Sequence, residues 1–162
     1  MIITEKGYAL RFNIEEVPVI GAKAAGVKAG NLKDDDVVVA AFISNTSSVY
    51  LLTHRGSLKR MATEEIPVTS RAKRGLQVLR ELKAKPHRVF LAGPVLTVQG
   101  DFDLFTSQVE EQTNGQVLHV LSNTGKSYEV DVTQLSFSER TSNGSFISDT
   151  ISNEEVFHAW MD

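Results

Sequence analysis

Three glycine pairs constrain this chain more than any other feature. Gly7 to Gly26, Gly56 to Gly75 and Gly125 to Gly144 are each separated by 19 residues. Their flanks match as well. Thr4-Glu5-Lys6-Gly7 aligns with Thr53-His54-Arg55-Gly56, and the same shift of 49 carries Glu15-Glu16-Val17-Pro18-Val19 onto Glu64-Glu65-Ile66-Pro67-Val68. With one inserted residue, Asn31-Leu32-Lys33 then meets Glu81-Leu82-Lys83. A third, weaker copy begins at Gly125-Lys126-Ser127-Tyr128, a step of 69 from the second. Fixed periods of this kind mark architectures in which each repeat is one supersecondary unit whose apolar face is covered by its neighbours.

Within each copy the pattern is that of β-strands. Tyr8-Ala9-Leu10-Arg11-Phe12, Val117 to Leu121 and Ser127 to Val132 are short runs rich in β-branched or large apolar residues. Turn signals at Lys6-Gly7, Arg55-Gly56, Asn114-Gly115, Thr124-Gly125 and Asn143-Gly144 punctuate them. Val37 to Phe42 and Tyr50 to Leu52 are continuously apolar and read as buried strands. Arg71 to Lys85 spaces Leu76, Leu79 and Leu82 as a helix would, but its counterpart in the first copy is a poor helix, so the repeat favours an extended or irregular segment. Repeats on the order of 40–50 residues with about four strands each are propeller-like. The expectation is therefore all-β, with about three four-stranded blades: 1–50, 51–92 and 93–162. Ala92 to Gln112 enters as an insertion or extra strand, and Phe157 and Trp160 as apolar anchors of the last strand.

Chemistry is harder to find than architecture. The 162 residues include no cysteine, which excludes disulfides and thiolate metal sites. The first residues carry charge at Glu5, Lys6 and Arg11, and no apolar run approaches membrane-spanning length, so the chain is expected to be soluble and cytoplasmic with no membrane partner. Thr124-Gly125-Lys126-Ser127 ends like a phosphate loop, but Val120 stands where the motif needs glycine and the residues after it alternate like a strand. Asp34-Asp35-Asp36 reads as a solvated loop before a strand. His54, His87, His119 and His158 lie far apart and read as surface or packing residues. No serine sits in a nucleophile elbow. Neither a cofactor nor catalysis is expected in this chain.

The formal charge of −3 hides a division. Residues 55–88 carry ten basic and three acidic side chains, whereas residues 101–162 carry two basic and eleven acidic. Such a split fits a polyanion-binding patch beside an acidic neighbour.

The run Ile3-Thr4-Glu5-Lys6-Gly7-Tyr8-Ala9-Leu10-Arg11-Phe12, followed by Glu16-Val17-Pro18, Gly26-Val27-Lys28, Leu32-Lys33 and Asp35-Asp36-Val37-Val38, resembles the repeat of the C-terminal domain of the gyrase and topoisomerase IV A subunits. The resemblance is strong over 1–42, fair over 51–91 and weak beyond about 115. It implies a β-pinwheel whose outer edge binds and bends double-stranded DNA. It also implies that the strand-passage tyrosine lies in another domain of the parent enzyme's A subunit. ATP and Mg2+ then belong to the parent enzyme, with the ATP site in the separate ATPase subunit. Five or six blades are usual in that family, so this chain resembles about half a domain. The Gln-Arg-Arg-Gly-Gly-Lys-Gly box of the gyrases is absent, which points to the topoisomerase IV branch, bacterial enzymes of decatenation and relaxation.

On this resemblance the candidate DNA-binding residues are Lys6, Arg11, Lys23 and Lys28 in the first copy and Arg55, Lys59, Arg60, Arg71, Lys73 and Arg74 in the second. Cations at repeated blade positions would lie along one curved edge and meet phosphates without reading bases. A competing reading makes the chain a protein-interaction module that uses the acidic stretch from Glu110 to Asp162.

Overall fold

A computed structural model of the chain describes residues 1–33, 35–96 and 115–162. They form eleven strands: β1 (Ile2–Thr4), β2 (Tyr8–Leu10), β3 (Val38–Ala41), β4 (Ser48–Thr53), β5 (Ser57–Ala62), β6 (Leu76–Gln77), β7 (Val89–Pro94), β8 (Val117–Ser122), β9 (Ser127–Asp131), β10 (Ser145–Phe146) and β11 (Val156–Met161). No helix among them is long and apolar enough to cross a membrane.

One turn is built three times. Gly7, Gly56 and Gly125 have φ of 80°, 72° and 85°, a region that side chains disfavour, and each closes a hairpin. In each hairpin the glycine N–H donates to the carbonyl three residues back, at Thr4, Thr53 and Ser122, over 2.9–3.0 Å. The hydroxyl of that same residue accepts from the N–H after the glycine: Tyr8 at 3.0 Å, Ser57 at 3.1 Å and Lys126 at 3.2 Å. The threonine before each turn thus serves as a cap, and serine substitutes for it in the third copy. A one-turn 3-10 helix follows each hairpin, at Ile14–Glu16, Thr63–Glu65 and Val132–Gln134.

The blades exchange strands. The sheets run β3-β1-β2-β6, β10-β5-β4-β7 and β11-β8-β9, so the fourth strand of each complete blade comes from the next copy. The contiguous limits 1–50, 51–92 and 93–162 therefore cut through β4 and β7 and miss the exchange. Within Arg71 to Lys85 lies β6 and no helix. Ala92 to Pro94 finish β7 rather than opening an insertion, and 97–112 lie outside the described residues, as does Asn114 of the Asn114-Gly115 turn.

Two cores lie between blades rather than within them. Ile3, Ala9, Val49, Leu51, Met61 and Val78 belong to the first, and Tyr50, Leu52, Leu58, Leu118, Val120 and Ile151 to the second. Strand β4 therefore sends alternate residues into different cores, which is why all six of its residues are buried. Each fully buried aliphatic side chain there contributes about 1.5–3 kcal/mol. Strand β8, covered on one face, alternates instead. Two expectations change for the same reason. Val38–Ala41 is an edge strand with partly exposed residues, and Phe157 and Trp160 on edge strand β11 are 70% and 43% exposed rather than anchored in a core.

Candidate nucleic-acid interface

The basic side chains divide into those that hold the fold together and those that stand at its rim. Lys59 belongs to the first group, which corrects the expectation that it meets phosphate. It is 2% exposed, and its ammonium donates to the carbonyls of Val78, Arg140 and Ser142. Burial pushes its pKa down to about 8. Arg60 donates to Ser48 Oγ (2.9 Å) and to the Thr133 carbonyl, with its guanidinium 4.6 Å from the centre of the Phe137 ring. Arg11 reaches the carbonyls of Thr63 and Ile66 in the next copy.

Arg71 is a staple between blades. Its backbone N–H donates to Glu16 Oε2 (2.8 Å), its Nε to the Glu16 carbonyl (3.2 Å), and its terminal nitrogen to the Lys28 carbonyl. Arg140, 69 residues on, repeats this arrangement with the Glu65 carboxylate and the Gln77 carbonyl. Arg55 donates to the Lys85 carbonyl (2.8 Å) and meets His87 Nε2 (3.0 Å). Each of these guanidiniums is committed in part to acceptors within the protein.

The remaining candidates are exposed, except Lys6, which is half-buried. Asn31 N–H donates to the Lys73 carbonyl and Ala72 N–H to the Ala29 carbonyl, both over 2.8 Å, which ties segment 28–31 to segment 71–74. This brings Lys28, Lys73 and Arg74 together on one rim. Arg74 lies 4.2 Å from the centre of the Tyr8 ring and donates to its hydroxyl at 2.7 Å, so a cation–π contact holds the guanidinium at the surface. Lys28 Nζ donates to Asn31 Oδ1 (2.8 Å). Lys23 is exposed in the first copy's arm. Lys6 pairs with Asp35, and that hydrogen bond holds the Asp35 carboxyl below its usual range.

Three further cations, Arg80, Lys83 and Lys85, are exposed on the connection from β6 to β7 and were not among the candidates. The charge count over 55–88 already contained them, and Lys83 aligns with Lys33 of the first copy. The acidic loop is structural in part, because Asp36 is buried and its Oδ1 accepts from Lys6 and Val37 N–H at 3.0 Å. Asp34 lies outside the described residues. A cleft of about 520 Å³ near the hairpin turns is lined by Arg55, Lys85 and Arg88 but equally by Glu5, Glu154 and Glu155. That mixture does not select for a polyanion. Among the described residues no three His, Asp or Glu side chains are grouped to hold a metal.

A family model described as DNA gyrase C-terminal domain, beta-propeller, matches residues 1–45 and 47–95. The chain is 65% identical over 161 residues to the A subunit of DNA topoisomerase 4 from Streptococcus pneumoniae, covering 99% of this chain and 19% of that protein. It is 39% identical over 158 residues to the protein of the same name from Bacillus subtilis, covering 97% of this chain and 18% of that protein. It thus spans about a fifth of the length of the curated relatives it matches. Among solved structures, the C-terminal domain of DNA topoisomerase IV superposes with a TM-score of 0.79 at 33% identity, over 99% of this chain and 45% of that one. The DNA gyrase A C-terminal domain gives 0.69 at 17% identity, over 99% of this chain and 49% of that one, a likeness of fold.

Proposed function

Because the chain belongs to the DNA gyrase C-terminal domain family, we propose that it is a non-catalytic module that binds and bends duplex DNA for a type II topoisomerase of the topoisomerase IV kind. In this reading it presents DNA for decatenation and relaxation. The ATPase subunit, together with the rest of the DNA-cleaving A subunit, supplies the chemistry, and ATP and Mg2+ act there. One observation carries the reading: hydrogen bonds between segments 28–31 and 71–74 gather Lys28, Lys73 and Arg74 on an exposed rim. Arg80, Lys83 and Lys85 extend the positive charge along the same copy. Flexible lysines and a ring-supported arginine suit phosphates, whose contacts position DNA without reading sequence. The acidic third copy supports protein docking less well, since Lys126 takes up Glu154 (2.6 Å) and His119 takes up Asp162 (2.8 Å).

The test is the salt dependence of duplex binding. Each phosphate neutralised lowers log K by about 0.9 per unit of log salt. Replacing Lys28, Lys73 and Arg74 together with alanine should flatten that slope by roughly 2 to 3 and weaken binding alike on unrelated sequences. Arg71→Ala should lower thermal stability and leave the slope nearly unchanged. A triple variant that binds with the parent's affinity and slope overturns the reading.

A further inference from the structure

We propose that the track of phosphate contacts breaks inside this chain: the second copy's arm takes the duplex, and the third copy's arm, alike in backbone and opposite in charge, turns it away and sets where the bend ends. Such a break presupposes the DNA-binding rim proposed above and identifies the blade junction that the duplex engages. The two arms are built alike. Thr69 N–H donates to the Arg11 carbonyl and Ser138 N–H to the Arg60 carbonyl, both at 2.8 Å. Val78 N–H donates to the Gly7 carbonyl at 2.7 Å and Ile147 N–H to the Gly56 carbonyl at 3.0 Å. Where each arm crosses the preceding blade, a Cβ on Gly75 would stand 2.5 Å from the Ala9 carbonyl oxygen, and one on Gly144 would stand 2.4 Å from that of Leu58. With Arg71 and Arg140 as matching staples, the arms share one path and their side chains can be matched by position.

At the crossing itself the cations are gone. Ser142 and Asn143 stand where the second arm has Lys73 and Arg74, beside the matched glycines. Each is bound to backbone: Ser142 Oγ accepts from Gly144 N–H at 3.2 Å, and Asn143 Oδ1 accepts from Arg80 N–H at 2.8 Å. The ring that holds Arg74 is missing as well, because buried Ser57 occupies the place of Tyr8. These side chains pack one arm on the next and offer a phosphate no charge.

The connections that follow the arms differ further. Residues 78–88, between β6 and β7, carry Arg80, Lys83, Lys85 and Arg88 against one acid, Glu81, which pairs with Arg88 at 3.3 Å. Residues 147–155, between β10 and β11, carry no cation and three acids. Of these, Glu154 is taken up by Lys126, whereas Asp149 and Glu155 are exposed and, among the described residues, make no side-chain bond. The backbone again gives the match. His54 N–H donates to the Arg88 carbonyl and Asn123 N–H to the Glu155 carbonyl, both at 2.9 Å, so Glu155 stands in the place of Arg88. Asp149 follows Ile147 by two residues, as Arg80 follows Val78.

A duplex that kept to the curve of the blades would pass from the second arm to the third and bring its phosphates to Asp149 and Glu155. No cation there takes the place of the counterions that a contacted phosphate gives up. Carboxylates nearer than a Debye length, about 8 Å at physiological ionic strength, repel it instead. Since the arms match in backbone, charge rather than shape makes the difference. The duplex is held at the junction of the first two blades and leaves before the third arm.

The chain has no cysteine, so one introduced thiol can carry a DNA-cleaving iron chelate at a single chosen site. Ala84, between Lys83 and Lys85, and Asn153 are exposed positions on the two connections. On duplex bound to the 162-residue chain, the chelate on Ala84→Cys should cut the strands and that on Asn153→Cys should leave them intact. Equal cutting from both sites overturns the proposal, as does cutting from Asn153→Cys alone. So does a bound duplex that neither site cuts, since it would lie elsewhere. Charge reversal is the second readout. Asp149→Lys with Glu155→Lys should carry the contact onto the third arm, steepening the salt slope by about 1.8 for two added phosphates. Asn153→Cys in that background should then cut, and a slope and cutting pattern unchanged by the reversal overturn the proposal. The DNA-binding reading fails by a different result: a wild-type chain that binds no duplex, or one indifferent to the loss of Lys28, Lys73 and Arg74, removes the rim and the break together.

Discussion

Thr53 and His87, both buried, form a short line with half-buried Arg55 in the second blade, and its chemistry assigns the imidazole tautomer. A guanidinium only donates, so His87 Nε2 must accept from Arg55 (3.0 Å). Nδ1 then carries the proton and donates to Thr53 Oγ1 (3.2 Å), which also accepts from Ser57 N–H. Burial first, and the Arg55 charge second, lower the affinity of His87 for a second proton below its ordinary value of 6.5. Above pH 6.5 folded and unfolded chains agree in holding His87 neutral. As pH falls through 6.5 the unfolded chain takes up a proton that the folded chain refuses, so stability declines until the lowered folded value is reached. The urea midpoint should therefore fall between pH 7.5 and pH 5, with a slope below the limit of about 1.4 kcal/mol per pH unit for one proton. His87→Asn should remove that part of the decline; an unchanged pH profile in the variant would exclude the line as its source. Nothing in the sequence announces this trio, because Thr53 and His87 are 34 residues apart and meet only when β7 is drawn against β4.

At the scale of the element, glycines of one sequence pattern carry different loads. Gly75 and Gly26 are aligned by the repeat and share φ near 85°, so an alanine at either position is strained by about 1–2 kcal/mol. At Gly75 the methyl would also collide with the Ala9 carbonyl, whereas at Gly26 it would enter open space. Gly26→Ala should cost only the strain, and Gly75→Ala at least about 3 kcal/mol. Urea unfolding of the two variants measures the difference; equal losses would mean that the crossing is not a close contact. The hairpin glycines were legible from spacing because a left-handed turn is a local requirement. The strand exchange was not, since β6 and β10 are two residues each and carry no periodicity.

Across the whole molecule, Lys59 ties three segments together. It projects from the second blade to the Val78 carbonyl of the second copy's arm and to the Arg140 and Ser142 carbonyls of the third copy's arm. Methionine would keep the volume and leave the Val78, Arg140 and Ser142 carbonyls without that donor, offset in part by relief from burying a charge. Lys59→Met should lower unfolding stability by roughly 2 kcal/mol. Protease cleavage of the two arms should quicken with it, while the salt slope of DNA binding stays that of the parent. A flattened slope would return Lys59 to the rim. Its interior place had a sequence signal: at the shift of 49 it aligns with Leu10, itself buried.

By itself the sequence determined the number of copies, the β character of each and the positions of the hairpin turns. These follow from glycine conformation and from alternation along a strand, which act over a few residues. Tertiary structure decided which faces are inside. Among the described residues the middle blade is covered on both sides and the end blades on one, so the same strand pattern is buried in β4, alternating in β8 and half exposed in β3. That context also divided the cations, drawing Lys59, Arg60 and Arg71 onto carbonyls from other copies and leaving Lys28, Lys73 and Arg74 at the surface. A charge count cannot make that division, because whether a basic side chain faces solvent depends on which backbone folds over it.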